Sequence, residues 1–282
     1  VFGTKSKVRR LWFRSSLLRL LIDFPRIWFT GEYDFVHFQY IGSPILMRKS
    51  VVTIHDVLFN DFPEYFPSWR WRLRNYLFKY SYRWARFVCT VSDYSLERLK
   101  FWYGARSNVC VTENMYDGDV EKQRNPGVTG QYILAVARDE PRKRLDLVVK
   151  LASKITCGQV VIVSNSDRYV GKPNVKVFKG LPQDQLNWLY AHCHFSVFPS
   201  ECEGFGMPVI ESLLSGRAVL VRRASAMSTL KIPNQLYFST DEEFLERALW
   251  FWQKSEVENE IDYSGYNDWR ISQKALLENL SS

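Results

Sequence analysis

The most constraining feature of this chain is an alternation of short apolar runs with stretches of helical period. In the second half, Tyr132–Ala137, Gln159–Val163, Val175–Phe178, Phe195–Phe198 and Ala218–Val221 are short, largely uncharged and rich in β-branched or aromatic residues. Runs of that length and composition predict buried strands. Between them Leu145, Val148, Val149 and Ala152 recur at helical spacing, as do Leu186, Leu189, Tyr190 and Cys193. Such alternation predicts a parallel, doubly wound sheet.

The first half repeats the pattern. Phe35–Phe38, Val51–Ile54, Phe87–Val91 and Val109–Thr112 are its expected strands. Helices are expected near Val8–Ile22, Trp69–Trp84 and Tyr94–Tyr103, and one more near Trp269–Leu280. The segment Glu121–Gly130, polar with Pro and Gly, has the composition of a linker. A length of 282 residues suits about two domains. The expected organisation is a Rossmann-like domain over 1–125, a second over 126–255, and a helical tail over 256–282 packing back on the first. Two such sheets would face each other across a cleft. Ligands of open α/β sheets sit at the carboxyl ends of strands, where the strand order reverses.

Two segments at strand ends carry chemistry. The first is Ser200–Gly216, SECEGFGMPVIESLLSG, directly after the strand Phe195–Phe198. Gly204 and Gly206 permit a tight turn and close backbone approach. Pro208 suits the first turn of a helix, and Gly216 suits its end. A glycine turn feeding a helix N-terminus is an anion site, because free N–H groups and the macrodipole both favour a phosphate. Glu203 and Glu211 beside a phosphate make sense as acceptors for sugar hydroxyls; a carboxylate capping a first helical turn is the alternative. The second segment is Arg138–Lys143, after the strand Tyr132–Ala137. Arg binds phosphate oxygens as a rigid fork and Lys as a mobile point charge. Cations at a helix start oppose the dipole, which favours a bound anion over a merely solvated cluster.

The pairing of ILAVARDEPRKRLD with EGFGMPVIESLLSG resembles the retaining GT-B glycosyltransferases of family 4. Their Glu-x7-Glu motif is matched by Glu203 and Glu211, and their Arg-x4-Lys pair by Arg138 and Lys143. The segments VVTIHDVLFNDFPEYFP and TVSDYS resemble the family's His-Asp and Val-Ser-x-x-Ser segments. Together the resemblance runs from about Tyr33 to Leu249.

The resemblance implies a transfer of hexose or deoxyhexose, mannose or rhamnose foremost, from a nucleotide diphosphate sugar to an acceptor hydroxyl with retention. GDP-mannose, dTDP-rhamnose or a UDP-sugar would be the donor, with no cofactor and no metal. The setting would be cell-surface polysaccharide synthesis, with a glycan or lipid-linked oligosaccharide as acceptor. Arg138 and Lys143 would neutralise the diphosphate, Glu203 would bind the transferred sugar, and Glu211 the ribose. The backbone of Gly204, Phe205, Gly206, Met207 and Pro208 would approach sugar or phosphate. His55 would face the transferred sugar from the first domain; at a strand's carboxyl end, it has Asp56 beside it to orient the imidazole. The competing expectation is an inactive nucleotide-sugar-binding domain or subunit. It is favoured by the lack of any glycine between Gly3 and Gly31, where the family has a glycine-rich loop, so the first domain reads as truncated. The stretch ASAMSTLKIPNQLYF after Arg223 is also shorter and poorer in glycine than the family's.

A formal net charge of +8 favours anionic partners without choosing among them. Basic and aromatic residues interleave at Arg9–Arg14 and at Trp69–Arg86. The second stretch is open to three readings: a face for an anionic membrane, a nucleic-acid surface, or a helix whose aromatics pack inward. The family's use of lipid-linked acceptors supports the first, at the cytoplasmic side of a membrane, and no nucleic-acid partner is expected. Five scattered cysteines without a CxxC pair indicate neither zinc nor redox chemistry. The opening VFGTKSKVRR lacks the apolar stretch of a leader, and no window reaches the ~18 apolar residues of a membrane span.

Overall fold

The computed structural model describes residues 18, 22–30, 35–66, 68–114, 116 and 121–254. The expected helix near Trp269–Leu280, the Arg9–Arg14 stretch and nearly all of Val8–Ile22 lie outside them. The chain divides into two compact units between Glu113 and Asn114.

The first unit carries a parallel sheet of β1 (Val36–Gln39), β2 (Ser50–Thr53), β3 (Phe87–Thr90) and β4 (Val109–Val111), in that order. Its helices are α1 (Phe24–Thr30), α2 (Leu58–Asp61), α3 (Ser68–Trp84) and α4 (Asp93–Tyr103). The core gathers Val52, Ile54 and Val88 from the sheet side with Leu99 of α4 and Phe78 and Tyr82 of α3. Each such apolar side chain taken fully out of water is worth about 2 kcal/mol. The TVSDYS segment is a helix start: Ser92 caps α4 by accepting the Ser95 amide at 3.1 Å. Gly104, at φ 93°, ends the same helix.

The three readings of the Trp69–Arg86 stretch divide on which way the α3 aromatics point. Trp69, Leu73, Tyr76 and Trp84 are 66%, 56%, 68% and 59% exposed. At ~100° per residue these four fall within about 80° of one another on the helix. Arg72, Lys79 and Arg83, also exposed, flank them on one side. Only Trp71 and Tyr80 lean on the core beside Phe78 and Tyr82. The inward-packing arrangement therefore holds for the buried side of α3 and not for this face.

The second unit is built on a six-stranded parallel sheet. Its strands are β5 (Tyr132–Val136), β6 (Gln159–Val163), β7 (Val175–Phe178), β8 (Phe195–Phe198), β9 (Val219–Arg222) and β10 (Tyr237–Phe238). The order is β10-β9-β8-β5-β6-β7. The helices are α5 (Leu145–Ala152), α6 (Gln183–His192), α7 (Met207–Leu214) and α8 (Asp241–Trp252). Leu145, Leu147, Val148, Leu151 and Ala152 bury one side of α5. The segment after Glu113 is tied to this unit: the Tyr116 hydroxyl donates to Asn187 Oδ1 at 2.7 Å, and Asn187 Nδ2 donates to the Lys122 carbonyl at 3.3 Å.

In this unit two elements go beyond the sequence expectations, as α1 and α2 do in the first. The strand β10 holds only two residues, and α8 follows it at once, capped by Thr240, which accepts the Glu243 amide at 3.2 Å. The strand β9 also runs on to Arg222, where the sequence reading stopped at the charge. Arg222 is 9% exposed. It is neutralised by Asp241 and donates from Nε to the Pro199 carbonyl at 3.0 Å.

Candidate donor site

The order of the second sheet puts the reversal point between β5 and β8. From β5 the chain proceeds outward through β6 and β7, then returns to β8 on the other side of β5. In open α/β sheets ligands bind at such a reversal point, beside the loops that leave the carboxyl ends of the two strands. Those loops are Ala137–Arg144 and Pro199–Gly206, the two segments singled out in the sequence. A backbone bond joins them directly, from the Glu201 amide to the Arg142 carbonyl at 2.8 Å.

Glu203 is the hub. Its side chain is 11% exposed; Lys143 contacts Oε1, and Arg142 reaches Oε2 at 3.2 Å. Arg142 also donates to the Cys202 carbonyl at 2.8 Å and pairs with Glu140 at 2.7 Å. Burial works against the charge of Arg142, and the carboxylates of Glu203 and Glu140 outweigh it and raise its pKa. The backbone of Glu203 is held from the β9 side. Its amide donates to Ser225 Oγ at 2.7 Å, and its carbonyl accepts the Ala226 amide at 3.3 Å. The short stretch after Arg223 thus holds the loop in place.

The basic cluster expected at the β5 end separates into two kinds of residue. Arg142, Lys143 and Arg144 are matched by carboxylates of the chain itself: Arg144, left-handed at φ 51°, pairs with Glu201 at 2.6 Å and with Asp241. Arg138 differs: its carbonyl accepts the Glu140 amide at 2.9 Å, but its exposed side chain makes no hydrogen bond or ion pair to any described residue. A guanidinium without a carboxylate beside buried cations is the group free to take an anion.

Gly204, Phe205 and Gly206 are buried, and Met207 and Pro208 open α7. Gly206 sits at φ 91°, and a Cβ there would lie 2.5 Å from the Met227 methyl. The backbone conformation favours glycine, and any larger residue would also push the end of the Met227 side chain aside. Glu211 lies in the second turn of α7, where the Tyr190 hydroxyl donates to its Oε2 at 2.7 Å. Burial raises the Glu211 pKa, and the Tyr190 bond pulls it partly back. Arg138, Lys143, Glu203, Gly204–Pro208 and Glu211 all belong to this unit.

His55 belongs to the first unit, after β2. Its Nε2 pairs with Gln39 Oε1 at 2.7 Å, whereas Asp56 Oδ1 accepts the Leu58 amide at 3.2 Å. The ring is thus set by Gln39 at the end of β1, a partner other than the Asp56 expected from adjacency. Burial, and then the charge of His37, lower its pKa, which favours the neutral imidazole. The sequence reading also missed Arg142, Ser225 and Tyr190. Arg142 was visible as a third cation in the same loop, whereas Ser225 and Tyr190 carry no local signal.

The described residues contain no cluster of three or more His, Cys, Asp and Glu able to hold a metal ion. No described helix is long and apolar enough to cross a membrane. Cys89 and Cys110 are neighbours across β3 and β4, with Sγ atoms 3.9 Å apart.

Comparison with known proteins identifies the family and the fold. Residues 1–120 match the model of Glycosyltransferase Family 4, and residues 118–268 that of Glycosyl transferases group 1. The chain is 24% identical over 238 residues to the O-antigen chain mannosyltransferase B of Escherichia coli, covering 74% of this chain and 62% of that protein. It is 25% identical over 268 residues to the O-antigen chain mannosyltransferase RfbU of Salmonella typhimurium, covering 86% and 71%. Among solved structures, Anabaena HepE in complex with UDP and glucose aligns with a TM-score of 0.72 at 18% identity, over 95% of this chain and 83% of that one. The sucrose-phosphate synthase of Thermosynechococcus elongatus aligns with a TM-score of 0.65 at 14% identity, over 92% and 74%. The fold is the α/β GT-B fold with parallel sheets, and the chain belongs to the glycosyl transferases of group 1.

Proposed function

We propose that this chain transfers a hexose or deoxyhexose from a nucleotide diphosphate sugar to an acceptor hydroxyl, with retention and without a metal. The observation that carries this reading is the buried Lys143–Glu203–Arg142 cluster, with the unpartnered Arg138 in the same loop at the β5/β8 reversal. The O-antigen mannosyltransferases that the chain resembles favour mannose and polysaccharide synthesis. HepE, solved with UDP and glucose, favours a nucleoside diphosphate sugar as the donor.

In this reaction the bond between the sugar C1 and the β-phosphate oxygen breaks, and a new bond forms from C1 to the acceptor oxygen on the same face. The acceptor proton passes to the departing phosphate. The protein's work is to stabilise charge building on the diphosphate. Arg138, Lys143 and the amides opening α7 supply it. Glu203 takes hydroxyls of the transferred sugar, and Glu211 the ribose. His55, largely neutral, would bond the transferred sugar rather than add a cation.

The reading places the reaction at the cytoplasmic face of a membrane. Its support is the exposed side of α3, where Trp69, Leu73, Tyr76 and Trp84 lie beside Arg72, Lys79 and Arg83. Aromatic rings at headgroup depth beside cations suit an anionic leaflet.

A thermal-shift screen against nucleotide sugars tests the central point, since a ligand that binds only the folded chain raises its melting temperature. A nucleotide sugar that raises it and is turned over to free nucleoside diphosphate supports the transferase. Binding without turnover under any acceptor supports the inactive binding domain, and no shift with any nucleotide sugar contradicts both.

A further inference from the structure

The two cations proposed for the diphosphate stand on one loop but are held from opposite sides of β5. Lys143 is held from the β8 side, by Glu203 and by the Glu201 amide bonded to the carbonyl of its neighbour Arg142. Arg138 is held from the β6 side, through the residues on either side of it. Before it, the Ala137 amide donates to the Val163 carbonyl at 3.1 Å and carries the β5–β6 ladder one residue past Val136. After it, the Asp139 amide donates to Asn165 Oδ1 at 2.8 Å. A parallel ladder would hand that amide to the carbonyl of residue 165. The Asn165 side chain takes the carbonyl's place, so the loop leaves the sheet with its backbone still bonded to the neighbouring strand's end.

The carboxylate of Asp139 is secured in the same loop. Tyr169, 6% exposed, donates its hydroxyl to Asp139 Oδ1 at 3.3 Å, and Arg168 pairs with the same oxygen at 3.6 Å. Burial first, then the charge of Asp139, raises the Tyr169 pKa, which keeps the hydroxyl a donor. The root of the loop is fixed as well, by the Ser164 amide donating to the Phe178 carbonyl at 2.9 Å.

Both bonds bear on Arg138. Asp139 is the acid next to it in the chain, and an ion pair between the two would neutralise the guanidinium. With Asp139 engaged by Tyr169 and Arg168, the Arg138 side chain has no partner among the described residues. A backbone bonded on both sides leaves only side-chain torsions to be fixed when a ligand binds, which lowers the entropy lost. We propose that Asn165 and Tyr169 are positioning residues for Arg138, fixing its backbone and holding the Asp139 carboxylate away so that the guanidinium meets the donor diphosphate. The inference rests on the transferase reading above and adds which residues outside the loop set its free cation.

The test is titration calorimetry of the full chain with GDP and with UDP. Asn165→Ala and Tyr169→Phe are each made in the natural chain and in Arg138→Ala, with melting temperatures to show that every variant is folded. For the nucleotide that binds, each change in the natural chain should weaken affinity roughly five-fold, the scale of one lost hydrogen bond. In the Arg138→Ala chain the same changes should alter affinity by less than about two-fold, because the group they position is gone. A merely structural role would weaken binding alike in both backgrounds, and that result overturns the inference. Unchanged affinity of both variants in the natural background overturns it too. In either case intact nucleotide binding by the natural chain leaves the transferase reading standing. Absent binding of both nucleotides to the natural chain removes that reading, and this inference with it.

Discussion

Lys143 and Glu203 form a contact pair in which each side chain is almost wholly out of water, at 12% and 11% exposure. They are sixty residues apart in sequence and meet because β5 and β8 are neighbours in the sheet. The pair pre-positions the cation proposed for the diphosphate and the carboxylate proposed for the sugar. A donor bringing its own charge and hydroxyls would exchange one set of partners for another without pulling either group out of water.

That pairing gives a stability prediction. Glu203→Gln leaves Lys143 and Arg142 close together and poorly solvated, at a cost of about 3 kcal/mol, the scale for breaking a buried ion pair. Lys143→Met keeps the Arg142–Glu203 bond and should cost about 1 kcal/mol. Urea unfolding of both variants measures the difference. Equal stability of the two would show that Glu203 is not the hub.

A pH prediction follows from Glu211. Its pKa is raised by burial, so the folded chain binds its proton more tightly than the unfolded one. Its contribution is therefore fully present below the ordinary carboxylate range and is lost as pH rises through the raised value. Glu211→Gln, which cannot ionise, should gain stability relative to the natural chain across that window. Tyr190→Phe removes the bond that pulls the pKa back, so the loss should extend to higher pH. Melting temperature against pH, compared among the three, measures it. A constant offset between Glu211→Gln and the natural chain would contradict the shift.

The exposed side of α3 gives a membrane prediction. Co-sedimentation with vesicles containing phosphatidylserine should exceed that with neutral vesicles and fall as salt rises, because attraction fades within a Debye length. Replacing Arg72, Lys79 and Arg83 by Gln should remove most of the difference, at about 1 kcal/mol per cation. Equal binding to neutral and anionic vesicles, or none at low salt, removes the membrane placement and leaves the donor site untouched.

Local pattern and chain adjacency were legible in the sequence to different degrees. The strands β6, β7 and β8 begin and end where their apolar runs do, and α3 and α4 each start one residue earlier than the pattern suggested. These elements are set by local apolar period. Glycine at 206 and the paired glutamates were legible for the same reason, since turn, cap and spacing are local. Partner choice was not. That Arg142 and Lys143 hold Glu203 while Arg138 stays free depends on how two loops sixty residues apart curl beside one another. Ser225 and Tyr190 support Glu203 and Glu211 from other strands and helices, so no spacing marks them. The strand β10 is too short for any period, and β9 runs past its apolar run because Asp241 makes a buried Arg222 tolerable. The phase of α3 was open because its aromatic residues fall on both sides of the helix.

The central claim is that the loop after β5 grips a diphosphate. Titration calorimetry of the full chain with GDP and with UDP tests it most directly, using Arg138→Ala and Lys143→Ala beside the natural chain. For whichever nucleotide binds, each variant should lose about 1.5–3 kcal/mol, the worth of one charge-assisted bond, with folding intact for the exposed Arg138. Unchanged affinity in both variants would contradict the account.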